Sequence, residues 1–234
     1  MPQIEILDPE KHAKLRVRQD HRAYRSHLAP VVATELRELA VEYPVVLVKN
    51  PETGRFGLFA LLGFREGENL YVDQDGKWHG YYLPLDLRRQ PFGVLRGSEE
   101  GKGAIAIDTK HALVSDSEGR HIFEKSASGS TLVTEVEPVL TALMSGAAPS
   151  EALISALAEN DLITPGQIAV PDGEGAFTLE GFYTVSSEKM AQLSPELLAR
   201  LNGKGLLYAI HLIMASMANV AKLLARREQF HCRK

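Results

Sequence analysis

Residues 43–64 decide the fold, and they read Tyr43-Pro44-Val45-Val46-Leu47-Val48-Lys49-Asn50-Pro51-Glu52-Thr53-Gly54-Arg55-Phe56-Gly57-Leu58-Phe59-Ala60-Leu61-Leu62-Gly63-Phe64. An apolar run at 45–48 is followed by turn residues at 50–54 and by a second apolar run at 56–64. Two apolar runs of strand length around a turn that contains Asn, Pro and Gly are typical of a β-hairpin. This stretch therefore predicts two antiparallel strands.

Further strand patterns follow this hairpin along the chain. Short apolar runs lie at 70–72 and 104–107. A second hairpin is indicated by runs at 167–170 and 177–185 on either side of Pro171-Asp172-Gly173. Because strands and helices are grouped and do not alternate strictly, we expect an α+β fold and not a doubly wound parallel sheet. The fold class is thus a largely antiparallel sheet whose hairpins pack against several helices, including a long C-terminal helix.

Helical patterns occupy much of the second half of the chain. An apolar stripe predicts a helix from Thr131 to Gly146, and Ser150 begins a second, short helix that extends toward Asp161. A capping hydroxyl, a proline at the first helical position and an acidic first turn come together in Ser194-Pro195-Glu196, which predicts another helix start.

The longest predicted helix runs from Gly205 to Ala225, with apolar residues three to four positions apart. Four polar residues interrupt it: His211, Ser216, Asn219 and Lys222. A membrane span needs about 20 mostly apolar residues with few or no charges. We therefore expect a core helix and no membrane span, and we expect Arg226-Arg227 to form its solvated basic end.

The length of 234 residues allows one large domain or two small ones. The patterns predict a single domain over 1–234, with a β-rich front at about 1–114 and a helical back that includes the late hairpin at about 130–227. Residues 115–130, rich in serine, glycine and charge, are predicted to form a loop between the two parts.

Charge and cysteine content exclude several classes of protein. With 26 Lys+Arg against 30 Asp+Glu the formal net charge is −4, which argues against nucleic acid or an anionic membrane as the main partner. The single cysteine, Cys232, cannot form an internal disulfide. No basic segment followed by an apolar core opens the chain, so we expect no cleavable signal and a cytoplasmic location.

Known catalytic and metal-binding motifs fail along the chain. The segment from Gly97 to Gly103 resembles a phosphate loop, but it lacks a hydroxyl residue after Lys102. The segment at 73–76 resembles the start of a calcium loop, but its twelfth position is Pro84. There is no nucleophile-elbow serine, zincin motif or cysteine pair. The sequence therefore predicts neither a cofactor nor a metal site.

Eight residues remain as candidate ligand-binding residues: His27, Asn69, Trp78, Tyr82, Arg88, Arg89, His211 and Asn219. A histidine would act as the base, and the arginines would clamp an anion. Structural alternatives stay open for several of them. His211 fits a hydrogen-bonded core histidine, the arginines fit an ion pair with Asp86 or Asp108, and Trp78, near Tyr81, fits core packing.

Many of these residues belong to short segments whose order and spacing along the chain resemble those of a known protein family. The segments are 27–31 leading to Glu35, 43–49, 60–64, 67–70, 76–78, Tyr82-Leu83-Pro84, Arg88-Arg89-Gln90-Pro91-Phe92, Leu179-Glu180-Gly181-Phe182-Tyr183, and His211 with 217–219. In this combination the chain resembles the SapC family of bacterial proteins, over roughly residues 12–224. The resemblance implies an accessory factor, because the family's name comes from genes tied to a bacterial surface layer and its members have no established reaction. No catalytic residue can be carried over.

Two hypotheses of function follow. The resemblance and the failed motifs favour an accessory protein that binds a polypeptide or a surface-layer or cell-envelope partner without catalysis, for example through exposed strand edges. The alternative is an enzyme or small-molecule binder with a pocket between the sheet and the final helix for an anionic or peptide ligand. In that pocket His27 or His211 would act as the base, Arg88 and Arg89 would clamp an anion, and Asn69 and Asn219 would orient the ligand. Whether the chain is an enzyme stays open, and a homo-oligomer is compatible with both hypotheses.

Overall fold

The computed structural model describes residues 2–96, 103–124, 131–173 and 175–232. Residues 97–102, compared above with a phosphate loop, and residues 125–130 of the expected joining loop lie outside the described part. The strands are β1 (Ile4–Ile6), β2 (Arg16–Val17), β3 (Leu28–Pro30), β4 (Val45–Lys49), β5 (Phe56–Leu61), β6 (Phe92–Arg96), β7 (Gly103–Asp108), β8 (Val114–Ser115), β9 (Arg120–His121), β10 (Ile163–Asp172) and β11 (Gly175–Val185). The α-helices are α1 (Leu36–Leu39), α2 (Leu85–Arg88), α3 (Leu132–Glu159), α4 (Ser187–Ala191), α5 (Pro195–Gly203), α6 (Leu206–Ser216) and α7 (Asn219–Cys232).

Residues of the chain group into two compact units that are interleaved in sequence. The first comprises Met1–Tyr24, Val72–Trp78 and Leu85–Met144, and the second comprises Arg25–Tyr71, His79–Pro84 and Ser145–Lys234. The first unit contains two three-stranded antiparallel sheets, β1-β7-β6 and β8-β2-β9. The single domain expected from the sequence stays a prediction.

The second unit is built on a five-stranded antiparallel sheet with the order β10-β11-β4-β5-β3. The hairpin predicted from residues 43–64 forms β4 and β5, with Val45 opposite Ala60 and Leu47 opposite Leu58. Val45, Leu47 and Ala60 are completely buried, which explains why this run is continuously apolar. The late hairpin forms β10 and β11. The predicted α+β fold with antiparallel sheets is confirmed.

The strand expected at 70–72 is reduced to one bridge, between Val72 and Trp78. The side chain of Asn69 accepts the N–H of Tyr71 at 3.0 Å, while the Leu70 N–H donates to the Leu62 carbonyl at 2.9 Å and the Tyr71 carbonyl accepts the N–H of His79 at 2.7 Å. These bonds connect the stretch to loop residues and not to a regular strand.

A continuous helix, α3, replaces the two helices expected between Thr131 and Asp161. Gly146 and Ser150 resemble a helix end and a helix cap in the sequence. In the structure, Ser150 Oγ donates to the Gly146 carbonyl at 2.7 Å and accepts the N–H of Ala33 at 2.8 Å. The serine hydroxyl thus bonds within the helix and to a neighbouring segment, and the helix continues through it.

The long helix predicted from Gly205 is divided, because α6 ends at Ser216 and α7 begins at Asn219. Ser216 Oγ accepts the N–H of Val45 at 2.9 Å, and Asn219 Nδ2 donates to the Ala40 carbonyl at 2.9 Å. Both side chains are buried. The polar residues that interrupt the apolar pattern therefore attach the two helices to β4 and to the turn after α1.

Within the described residues, two helical segments are long and apolar enough to cross a membrane by length and composition: Leu132–Glu159, with mean hydropathy 1.2, and Leu206–Phe230, with mean hydropathy 1.5. Core helices of soluble proteins have the same length and composition, so this property alone is weak evidence for a span.

Candidate functional site

A buried carboxylate, Glu42, binds the loop of the second unit that contains Tyr81 and Tyr82. Glu42 lies in the turn after α1 and is 8% exposed. Its Oε2 atom accepts the backbone N–H of Tyr81 at 2.8 Å and that of Tyr82 at 3.3 Å. Hydrogen bonds to an ionised acceptor are stronger than those between neutral groups. The carboxylate therefore fixes the backbone of two residues in a loop that has no secondary structure of its own.

Two tyrosines whose rings are in contact support this arrangement through hydrogen bonds from their hydroxyls. The rings of Tyr43 and Tyr71 are 4.7 Å apart, and the Tyr71 hydroxyl donates to the Glu42 carbonyl at 3.1 Å. The Tyr43 hydroxyl donates to the carbonyl of Tyr82. Burial raises the pKa of Tyr71 well above its ordinary value, so this hydroxyl keeps its proton and acts as a donor.

Tyr82, one of the predicted candidates, is held at its side chain as well as at its backbone. Its hydroxyl donates to Glu35 Oε2 at 3.0 Å, and Glu35 Oε1 accepts the N–H of Val32 at 2.9 Å. Glu35 is 3% exposed. The backbone and the hydroxyl of Tyr82 are both hydrogen-bonded within the protein. Tyr82 therefore helps to fix the position of its neighbour Tyr81.

The result is an exposed aromatic residue on a fixed backbone. The side chain of Tyr81 is fully exposed, and Val41, next to Glu42, is 71% exposed. Arg226 Nη2 donates to the His79 carbonyl at 3.2 Å and to Glu42 Oε1 at 3.5 Å, and its guanidinium lies 4.5 Å from the centre of the Tyr71 ring. We call the surface formed by Val41, His79, Tyr81, Lys222 and Arg226 the Tyr81 surface.

A second feature of the same unit is a cavity of about 420 Å³ beside the loop that follows β5. It is lined by Arg65, Glu66, Gly67, Glu68, Asn69, Leu70, Arg227 and Phe230, and we call it the loop cavity. Glu68 Oε2 accepts the N–H of Phe64 at 2.6 Å and closes the loop. A Cβ atom at Gly63 would collide with the Glu68 backbone, so only glycine fits there.

Arg227 joins three segments at this cavity. Its Nε donates to Glu68 at 3.3 Å, its Nη2 donates to Asp172 at 2.9 Å, and its Nη1 donates to the Pro171 carbonyl. Hydrogen bonds from Arg227 and then from Arg65 hold the pKa of the Asp172 carboxyl below its ordinary value. Arg227 is 5% exposed, so the expectation that Arg226-Arg227 forms a solvated helix end is wrong for this residue. Its guanidinium is buried because two carboxylates and a carbonyl bind it.

His27 is half-buried in the second unit, near the carboxylates of Glu66 and Glu68. Burial lowers the pKa of His27 below 6.5, and the two carboxylates offset part of this shift. The neutral imidazole is therefore the form that folding favours.

We expect an NMR titration of the folded protein to place the His27 inflection below pH 6.5, and a titration in urea to return it to 6.5. As the pH falls, the unfolded chain takes up the proton first. The contribution of His27 to stability is thus complete above pH 6.5 and is lost as the pH falls through the folded-state pKa. An inflection at or above 6.5 in the folded protein would contradict this assignment.

The other candidates in this unit differ in their surroundings. Asn69 lines the loop cavity, while Asn219 is buried and its amide donates to Ala40 and Tyr43 carbonyls. His211 is exposed, and its Nδ1 hydrogen-bonds to the Leu207 carbonyl at 2.8 Å. It is therefore a hydrogen-bonded histidine, as one alternative proposed, but it lies on the surface and not in the core.

Three candidates belong to the first unit. Trp78 packs against the rings of His21 and Tyr24, at centroid distances of 6.1 and 6.5 Å. Arg89 pairs with Asp86, with Nε at 2.8 Å and Nη2 at 2.6 Å from Oδ1, which is the ion pair considered from the sequence. Arg88 is exposed.

The eight candidates are thus divided between the two units. Arg89 lines a cavity of about 210 Å³ in the first unit, and Asn69 lines the loop cavity of the second. Ligand binding by any of them stays a prediction. In the part of the chain that the structure describes, no group of three His, Cys, Asp or Glu side chains is arranged to hold a metal ion.

The edge strands of the five-stranded sheet, considered for peptide binding, carry prolines. At one edge of the five-stranded sheet β10 contains Pro165 and Pro171 and has a register shift between Gly166 and Ile168, and at the other β3 ends with Pro30. Prolines and bulges protect edges against pairing with another chain. Within the second unit, the Tyr81 surface is therefore a better candidate for a partner than these two edges.

Sequence reasoning missed the charged residues that build the site, namely Glu35, Glu42, Glu68, Arg226 and Arg227. One signal was present, since Glu42 stands between Val41 and Tyr43, immediately before an apolar strand. A carboxylate in such a place is buried only when it has partners, so its position indicates a hydrogen-bonded role.

Comparison with known proteins supports the resemblance. A family model described as SapC matches residues 7–223 of the chain. Searches among curated proteins and among solved structures found no match.

Proposed function

We propose that this chain, which belongs to the SapC family, is an accessory protein that binds a polypeptide partner of the bacterial cell envelope or surface layer without catalysing a reaction on it. The family membership supports an accessory role through the surface-layer genes from which the family takes its name. The partner contacts the Tyr81 surface, and the buried network around Glu42 keeps that surface in its binding conformation.

One observation carries this proposal: Tyr81 has a fully exposed ring on a backbone that a buried carboxylate holds in place. Tyrosine is among the residues that dominate binding energies at interfaces. A fixed backbone reduces the conformational entropy lost on binding. Tyr81 therefore has the properties of an interface anchor.

Site-specific photo-crosslinking in the native host tests the proposal. We expect p-benzoylphenylalanine at position 81 to give a discrete protein adduct, identified by mass spectrometry. The same group at position 208 serves as the matched control, because Tyr208 is also exposed (61%) but lies on α6. With the purified partner, Tyr81→Ala should weaken binding by about 2 kcal/mol, while Tyr208→Ala leaves it unchanged. Identical adducts from both positions, or none from position 81, would refute the proposal.

A cytoplasmic place of action is part of this proposal. Leu206–Phe230 is apolar enough to span a membrane, but it contains the turn at Met217 and Ala218 and four charged residues: Lys222, Arg226, Arg227 and Glu228. Charged side chains within a span are costly. These features favour a helix pair that packs within the protein.

A further inference from the structure

We propose that the segment bound at the Tyr81 surface is acidic, with one or more carboxylates next to an apolar side chain. This inference rests on the proposed function and specifies its partner. The apolar side chain covers Tyr81 and Val41, and the carboxylates pair with Arg226 and Lys222.

The two cations keep donors available for such a ligand. Among the residues that the structure describes, Arg226 donates only through Nη2, so Nε and Nη1 face no protein acceptor. Lys222 Nζ makes one hydrogen bond with the described residues, to the Val41 carbonyl at 3.2 Å. Arg226 and Lys222 are one helical turn apart on α7, so both reach the same side of the helix. A guanidinium with free donors on two of its nitrogens is a good partner for a carboxylate.

The balance of charge at this surface is positive although the chain as a whole carries −4. Lys222 and Arg226 contribute two positive charges. The Glu42 carboxylate, which accepts from the Tyr81 and Tyr82 amides and pairs with Arg226 at 3.5 Å, contributes one negative charge, so one positive charge remains. On α1, the adjacent Arg37 and Glu38 cancel each other. An acidic segment is therefore attracted to this surface, although the net charge of the whole chain is negative.

An anionic membrane is a weaker fit to the same cations. Electrostatic membrane binding uses clusters of about 4–8 basic residues, whereas this surface has two. Its exposed apolar part consists of one tyrosine and one valine, which matches a side chain of a peptide better than the core of a bilayer.

Binding of two pools of fluorescein-labelled octapeptides tests the inference. One pool has a leucine or phenylalanine flanked by aspartate or glutamate, and the matched pool has asparagine or glutamine in place of the acids. We expect the full-length protein to prefer the acidic pool by about fivefold or more at low salt, with the preference declining as salt is added. Lys222→Glu should weaken binding of the acidic pool by about fivefold and leave the neutral pool unchanged.

Lys204→Glu is the matched control, since Lys204 is exposed at the end of α5 and the change of charge is identical. It should not alter the preference. Equal binding of the two pools, binding of neither, or displacement of the acidic pool by phosphatidylserine vesicles in a manner that requires Lys222 would overturn the inference. The crosslink from position 81 distinguishes failure of this inference from failure of the proposed function. A protein adduct together with equal binding of the two peptide pools would refute the acidic segment and leave the proposed function intact.

Discussion

Replacing Arg227 by methionine is expected to lower the free energy of unfolding by about 3 kcal/mol. The methionine side chain has a similar length, so the main loss is the charge and its hydrogen bonds. Glu68 and Asp172 then keep their charges without their principal partner, and Glu68 is only 19% exposed at its side chain. A buried carboxylate that loses its cation is strongly destabilising. Urea denaturation at neutral pH measures the change.

Arg65→Met is the matched control, because Arg65 also binds Asp172 and also lies over the Phe177 ring. Its side chain is 52% exposed, against 6% for Arg227. Water screens an exposed pair, so we expect a loss below about 1 kcal/mol. Similar losses for the two variants would mean that burial does not set the strength of these pairs.

Local sequence signals predicted much of the fold. The hairpin at 43–64 was predictable because both strands are apolar and the intervening residues are turn formers. The start of α5 was predictable because its cap is local: the hydroxyl of Ser194 accepts the N–H of Leu197 at 3.3 Å. In both cases the interaction that fixes the structure lies within a few residues of the signal.

The candidate site was harder to predict because its interactions connect distant residues. Glu42 binds Tyr81 and Tyr82 across 39 and 40 positions, and Arg227 binds Glu68 across 159. A pair of arginines that follows an apolar helical pattern is usually solvated, and only the fold reveals that α7 continues past them to Cys232 and which of the two enters the protein. The break between α6 and α7 has the same origin, since Asn219 finds its acceptors in the turn after α1.

The charged residues around Glu42 and those around Arg227 stabilise the second unit in the same way. Each set places a carboxylate against backbone N–H groups of an irregular segment: Glu42 against the amides of Tyr81 and Tyr82, and Glu68, the partner of Arg227, against the N–H of Phe64. Irregular backbone must find hydrogen-bond partners when it is taken out of water. Charged side chains provide strong partners, so loops that carry function keep a defined shape.

Replacing Glu42 by alanine tests whether that principle also controls binding. We expect the free energy of unfolding to fall by about 3 kcal/mol, since two backbone donors and Arg226 lose a charged acceptor. Glu42→Gln should cost only about 1 kcal/mol, because the amide oxygen still accepts from the backbone. Glu38→Ala, at an exposed position of α1, should stay within about 0.5 kcal/mol of the parent protein.

Amide hydrogen exchange locates the effect of the Glu42 variants. In Glu42→Ala the N–H groups of Tyr81 and Tyr82 should exchange faster under conditions in which the rest of the sheet stays protected, because their acceptor is gone. Binding of the acidic peptide pool should weaken in parallel. Glu42 is negatively charged like the peptides, so its loss makes the surface more positive. Electrostatics alone predicts tighter binding for this variant. Weaker binding would therefore show that the fixed position of Tyr81 matters more than charge, and stronger binding with unchanged exchange of the two amides would contradict the role given to Glu42.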